Sequence, residues 1–277
     1  SEIEFDYVVL DESQAIKNPK SLATKAANLL KAKYRLALSG TPVQNNTFDL
    51  YAQMNFLNPG MLGTRDFFLN EFALPIDKFQ EKEVKDQLRK LVYPFMLRRT
   101  KSQVAKDLPE KTETVLYCEM DKHQRKIYEA YRSNYQSKIL GMIDEQGMQK
   151  SQFHILQGLT RLRQICDSPA IINDTEKHEN HSVKLEELVR ELTENTGEHK
   201  ALVFSQFLGM LALIRNALTE KGIPFVYFDG STTSADREKA IVEFQENDAC
   251  KVFLISLKAG GVGLNLTSAD YVYLVDP

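Results

Sequence analysis

The chain has 277 residues, of which 43% are hydrophobic and 26% charged, enough for two domains with real cores. A formal net charge of −3 excludes a nucleic-acid partner gathered by the overall field, so any such partner needs a local basic groove. No apolar run approaches the roughly 20 residues of a membrane span or opens the chain as a signal peptide, and three scattered cysteines, Cys118, Cys166 and Cys250, argue against a zinc site or a disulfide framework and for a reducing, intracellular setting.

The first element is a strand over Glu4–Leu10. Its apolar run Tyr7-Val8-Val9-Leu10 predicts a strand of a parallel sheet, buried on both faces, that delivers Asp11 and Glu12 at its carboxyl end. Ligands of open parallel sheets bind at such ends, and paired carboxylates there suit a Mg²⁺-bound nucleotide and its attacking water. The bland alternative is a strand leaving into a polar turn. A turn at Asn18-Pro19, a helix over residues 21–32 and a short strand over 34–39 ending in Ser39-Gly40-Thr41-Pro42 complete a β–loop–α–β unit.

Helices follow over 47–57, stopped by Asn58-Pro59-Gly60, and over 64–72 and 81–95; they break the alternation and predict a helical insertion. Arg98, Arg99 and Lys101 form a basic cluster, read first as a solvated face. Residues 112–120 alternate like a strand, and long helices over 121–140 and 151–166 come next. Residues 173–182 are polar enough for an exposed loop, with His178 and His181 as spectators rather than metal ligands. After a helix over 183–193 the alternation returns: strands over 200–205, 225–228, 251–256 and 271–275, helices over 207–221 and 233–245, and the glycine-rich turn of Gly260, Gly261 and Gly263, expected to use positive φ and to let a ligand approach closely. Alone, a G-G-x-G turn is weak evidence for phosphate binding. The expected fold is α/β: two parallel-sheet lobes with a helical insertion between them. The expected division is residues 1–60 for the first lobe, 61–182 for the insertion and interlobe segment, and 183–277 for the second lobe.

The blocks D-E-S-Q-A-I-K-N, L-A-L-S-G-T-P-V-Q-N, F-L-N-P-G, P-F-M-L-R-R-T-K, A-L-V-F-S-Q-F, F-D-G-S-T and L-K-A-G-G-V-G-L-N-L-T-S-A-D-Y-V, in this order, resemble the SWI/SNF-type ATPases, helicase-like motors of superfamily two, and within them the bacterial branch. The resemblance spans essentially the whole chain. It implies RecA-like lobes with ATP and Mg²⁺ between them and double-stranded DNA gripped by its backbone. It implies Asp11, with Glu12 beside it, as the Mg²⁺-linked carboxylates, and Glu12 as the group that activates water. Gln14, Gly261 and Gly263 are implied at the nucleotide, and Ser39, Thr41, Ser205, Gln206, Lys258 and Asn265 as residues that contact DNA or couple it to nucleotide state. The family's phosphate-cradling G-x-G-K-[ST] loop and the second-lobe arginine motif are not in these 277 residues, so both lobes are expected to be truncated and this piece to hydrolyse ATP no faster than background. The alternatives are a strand-separating DNA or RNA helicase and a non-catalytic docking module. The setting expected is a bacterial cytoplasm, or the nucleus if the source is eukaryotic.

Overall fold

A computed structural model describes residues 3–40, 47–105, 107, 110–172, 178–260 and 264–276. The chain divides into two units, Ser1–Lys111 and Thr112–Pro277.

In the first unit the β-rich segment Glu4–Leu10 (β1) pairs in parallel with Lys31–Ala37 (β2), Tyr7 opposite Tyr34 and Leu10 opposite Ala37. Parallel partners need a crossover. It consists of a 3₁₀ turn, Ser13–Ile16, and helix α1, Leu22–Leu29, whose N-terminus is capped by the Ser21 hydroxyl. The buried Thr24 hydroxyl donates to Ile16 O and Asn18 O, tying α1 to that turn. Helix α2, Thr47–Leu57, adds Phe56 to a core of Val8, Ile16 and Ala27. Arg35 reaches under the sheet to donate to Phe56 O at 2.7 Å and Leu30 O at 2.6 Å, its guanidinium 5.0 Å from the Phe56 ring.

The expectation that β1 is buried on both faces is not met: Tyr7 is 65% and Val9 52% exposed, and Tyr34 and Leu36 of β2 are exposed too. The reason is architectural. The cluster around Val8 draws on the turn, α1 and α2, while the side chains of alternate parity form an apolar face that no described element covers.

The helical part of this unit holds its own core of Leu50, Tyr51, Met54, Leu62, Phe68, Ala73, Leu88 and Val92. Helix α3, Arg65–Phe68, widens to a π turn over Leu69–Ala73 ahead of α4, Leu74–Asp77. Pro75 lies there, and its missing N–H interrupts the regular ladder. The single helix expected over 81–95 is α5, Lys82–Val92, finished by a 3₁₀ turn, Tyr93–Phe95, around Pro94; α6, Lys101–Val104, follows.

In the second unit residues 112–120 form no strand, although their sequence alternates; Tyr117 is 92% exposed. No described strand lies alongside to accept a ladder, and alternation without a partner is not a strand. Helices α7, Lys122–Gln146, and α8, Met148–Asp167, fold back on each other about Gly147 at φ 79°. The Gln124 amide pins their base by donating to Ile165 O at 2.8 Å. Helix α9, Val183–Arg190, leads into a four-stranded parallel sheet of order β4-β5-β3-β6, made from β3 (Lys200–Ser205), β4 (Phe225–Phe228), β5 (Val252–Ser256) and β6 (Ala269–Leu274). Helix α10, Leu208–Glu220, and α9 cover one face through Leu188, Met210, Leu211 and Ile214; α11, Ser234–Glu246, covers the other through Phe244 against Phe228 and Phe253. Helix α11 opens on a side-chain cap, the Thr233 hydroxyl accepting from Asp236 N–H.

Candidate functional site

In the first unit the backbone turns sharply where β1 ends. Glu12 sits in left-handed backbone, φ 48° and ψ 48°, a conformation uncommon for a residue with a Cβ. The turn is secured by Ser13 N–H to Leu38 O and Leu38 N–H to Leu10 O. Asp11 and Glu12 stand exposed at the strand end, with one oxygen of each held by the protein: Asp11 Oδ1 accepts from Glu12 N–H at 2.9 Å, and Glu12 Oε2 accepts from Gln14 Nε2 at 2.5 Å. Gln14 Oε1 in turn accepts from the Ser39 hydroxyl at 2.8 Å. The structure therefore joins Asp11, Glu12, Gln14 and Ser39 into one chain of contacts between the ends of two parallel strands. Two exposed carboxylates are the oxygen donors Mg²⁺ takes from protein when phosphate and water supply the rest, so this end of the sheet fits that ion.

Thr41, Gly261 and Gly263 lie outside the described residues. In the second unit, Ser205 is fully buried and its hydroxyl is engaged locally, accepting from Phe207 N–H. Gln206 N–H donates to Asp276 Oδ2 at 2.9 Å. Lys258 is exposed on α12, Leu257–Gly260, at the end of β5. Asn265 is exposed, its carbonyl accepting from Gln245 on α11. Gly260 has no positive φ; it is needed because a Cβ there would come within 2.7 Å of the Phe204 ring. Arg98, Arg99 and Lys101 are exposed in the first unit.

Several polar residues here escape a reading by motif. Asp167, at the end of α8, is fully buried against Lys184 Nζ at 2.8 Å, and Lys184 also donates to Val275 O. Burial pushes the Asp167 carboxyl up to about 6, with the Lys184 ammonium opposing the rise and the charge of Asp276 adding to it. Arg163 donates to Asp276 O. Among the described residues, Asp167 Oδ2, Asp276 Oδ1 and Gln206 Nε2 are buried with no hydrogen-bond partner. For Asp276 one signal was available: like Asp11, it lies just beyond the end of a strand of a parallel sheet, one residue after β6 closes at Leu274. Asp229, within F-D-G-S-T, accepts from the Ser231 hydroxyl at 2.6 Å, Ser231 N–H at 2.8 Å and the Tyr227 hydroxyl at 2.7 Å, bonds that hold it down at about 2. His181 lies between Asp121 and Glu179 and packs on His123, yet no group of three or more His, Cys, Asp or Glu among the described residues is arranged to hold a metal.

Parallel sheets with helices packed on them and polar groups at their carboxyl ends define an open α/β class whose ligands bind at those ends. The family is specific: an SNF2-related domain matches residues 1–171 and a helicase conserved C-terminal domain matches residues 183–277, so the chain belongs to the SNF2-related, helicase-like family. It is 35% identical over 324 residues to the TATA-binding protein-associated factor mot1 of Aspergillus fumigatus, covering 99% of this chain and 17% of that protein. It is 37% identical over 280 residues to an ATP-dependent helicase of Mycoplasma pneumoniae, covering 98% of this chain and 25% of that one. The SWI2/SNF2 ATPase core of Sulfolobus solfataricus in complex with dsDNA matches with a TM-score of 0.51 and 37% identity, over 99% of this chain and 58% of that chain. The chain thus spans a quarter or less of these two relatives, and its two sheets are those of RecA-like lobes.

Proposed function

We propose that this chain is the central part of an ATP-driven motor that tracks double-stranded DNA by its backbone and remodels protein–DNA complexes. The observation that carries the reading is the relay from Glu12 through Gln14 to Ser39, which links a carboxylate at one strand end to the loop leaving the next strand. The solved relative bound to dsDNA supports duplex DNA as the track. The domain division that goes with it is residues 1–60, 61–182 and 183–277, supported by the start of the helicase C-terminal match at residue 183.

Asp11 and Glu12 would hold Mg²⁺ with the phosphates, and the bound ion would neutralise charge developing on the transferred phosphoryl group. Glu12 accepts a proton from the attacking water at its carboxylate, and Gln14 Nε2 fixes that carboxylate's orientation through Oε2. Gln14 Oε1 holds the Ser39 hydroxyl, so a shift at Glu12 is felt at Ser39; Thr41 is assigned to the same coupling role. Gly261 and Gly263 are assigned to the nucleotide and Lys258, Asn265 and Gln206 to the DNA side, while Ser205, fully buried, would act there only through the turn that it holds at Phe207. Hydroxyl, amide and ammonium groups hold phosphates without reading bases, so little sequence preference follows. The work site is the bacterial nucleoid, or the nucleus in a eukaryote.

The test is ATP turnover by the full-length protein with duplex DNA, single strands and RNA. Stimulation greatest with duplex DNA, and its loss in Glu12→Gln, is the expected result. Greatest stimulation by single strands or RNA would point to a strand-separating helicase, and no turnover at all to a docking module. The 277-residue piece alone contains no G-x-G-K-[ST] loop and is expected to stay at background.

A further inference from the structure

Behind the exposed carboxylates lies a polar pair that the motor reading does not use. Ser13 and Gln53 are 1% and 5% exposed, and the Ser13 hydroxyl donates to Gln53 Oε1 at 3.0 Å across 40 residues of sequence. The Gln53 amide is oriented by its other end: Nε2 donates to Asp49 O, one turn back on α2, which turns Oε1 towards Ser13. The residue before Ser13 is Glu12, in its left-handed conformation. Such backbone persists only where its surroundings over-determine it. Here the backbone constraints are Ser13 N–H to Leu38 O and Ala15 N–H to Glu12 O, each 2.9 Å, and the Ser13–Gln53 bond is a side-chain constraint from beneath. Helix α2 is itself fixed, because Asp77 accepts from Thr47 N–H at its first residue.

We infer that Gln53 is a positioning residue for Glu12: through Ser13 it locks the turn that aims the Glu12 carboxylate, and it ties that turn to the helix following the Ser39–Thr41 loop. The inference rests on Glu12 being the water-activating group. It differs from a bond that only holds α2 on the sheet, because removal of a buried hydrogen bond from both sides is nearly neutral for stability, whereas removal from one side strands a polar group. Stability and turnover should therefore separate.

The experiment uses the full-length protein with Ser13→Ala, Gln53→Met and the double substitution. Each single variant is expected to melt lower and to turn over ATP about fivefold more slowly with KM for ATP unchanged, the loss matching one ordinary hydrogen bond. In the double variant the melting temperature should be no lower than in Gln53→Met alone, since the Ser13 hydroxyl is no longer stranded, while kcat stays about fivefold low. Recovery of kcat together with stability, or wild-type kcat in Gln53→Met, would overturn the inference. Should wild type itself show no ATP turnover, the motor reading fails separately. Amide exchange then decides the positioning role: the Ser13 and Ala15 amides should exchange about fivefold faster in the double variant than in wild type, and unchanged exchange would refute it.

Discussion

Asp167 shows how a buried charge sets a pH window. Its carboxyl rises from an ordinary 3.8 to about 6, chiefly by burial, so between those values the native chain holds a proton that the unfolded chain has released. Its contribution to stability is therefore full below about 3.8 and lost as pH rises through about 6, opposite in sign to the usual surface carboxylate. Above that range Lys184 is what makes the charge tolerable. Lys184→Met should cost on the order of 3 kcal/mol at pH 7.5, where it strands the carboxylate, and less than half of that at pH 5, where Asp167 takes up a proton instead. Urea unfolding at the two pH values measures this, and an equal cost at both would show that the carboxylate is not the strained partner. Asp229 works the other way: held down at about 2, it adds stability above about 3.8 that is lost as pH falls towards 2. Asp11 and Glu12 were legible because they end an apolar strand run, whereas Gln14 and Ser39 were implied only by the family resemblance; the structure adds the contacts that join the four. Asp167 and Gln53 were not legible, because their partners lie on other elements, and Asp276 showed only its place near a strand end, since Arg163 reaches it across 113 residues.

Helices and strands were legible to the extent that their own periodicity decided them. From residue 200 onward the strands and the two long helices fall within a residue or two of expectation, because their apolar runs are both periodic and buried there, whereas α7 runs six residues beyond the expected end and α8 starts three residues before the expected start. Residues 112–120 failed, since a strand is a property of a pair and no sequence window contains its partner. The Gly260 turn was expected for its torsion and is instead explained by crowding against Phe204. The C-terminal carbonyls of α1 and α2 have a more specific anchor. Arg35 serves Leu30 O and Phe56 O together, so one half-buried guanidinium satisfies the ends of two helices. Arg35→Leu keeps the packing against Phe56 but removes both donors, at an expected cost of about 2–3 kcal/mol to the first unit. Amide exchange in α1, α2 and β2 should accelerate while β3 and β5 keep their protection; loss of protection in both units alike would mean that Arg35 matters beyond its own core.

At the scale of the whole molecule, the face of the β1–β2 sheet away from α1 dominates. Phe5, Tyr7 and Val9 stand beside Tyr34 and Leu36, all exposed, with Tyr7 and Tyr34 stacked at 4.8 Å between ring centroids. Parallel sheets are stable when both faces are covered, and contiguous apolar patches on soluble proteins mark surfaces meant to be buried. Among the described residues this sheet has two strands, which leaves each with one unpaired edge. The 277-residue chain by itself should therefore self-associate, through this face rather than through its charged helical surface. Replacing Val9 and Leu36 by lysine puts two like charges side by side, since the two residues are paired in the register. That should shift light scattering from oligomer to monomer at micromolar concentration without unfolding the second unit, whose core lies elsewhere. In any longer protein that covers this face, the same pair of lysines should lower the melting temperature, because both charges would have to be buried. If the lysine variant of the short chain still associates while its second unit stays folded, the adhesive surface is another one, and the exposed edge strand β6 becomes the first place to look.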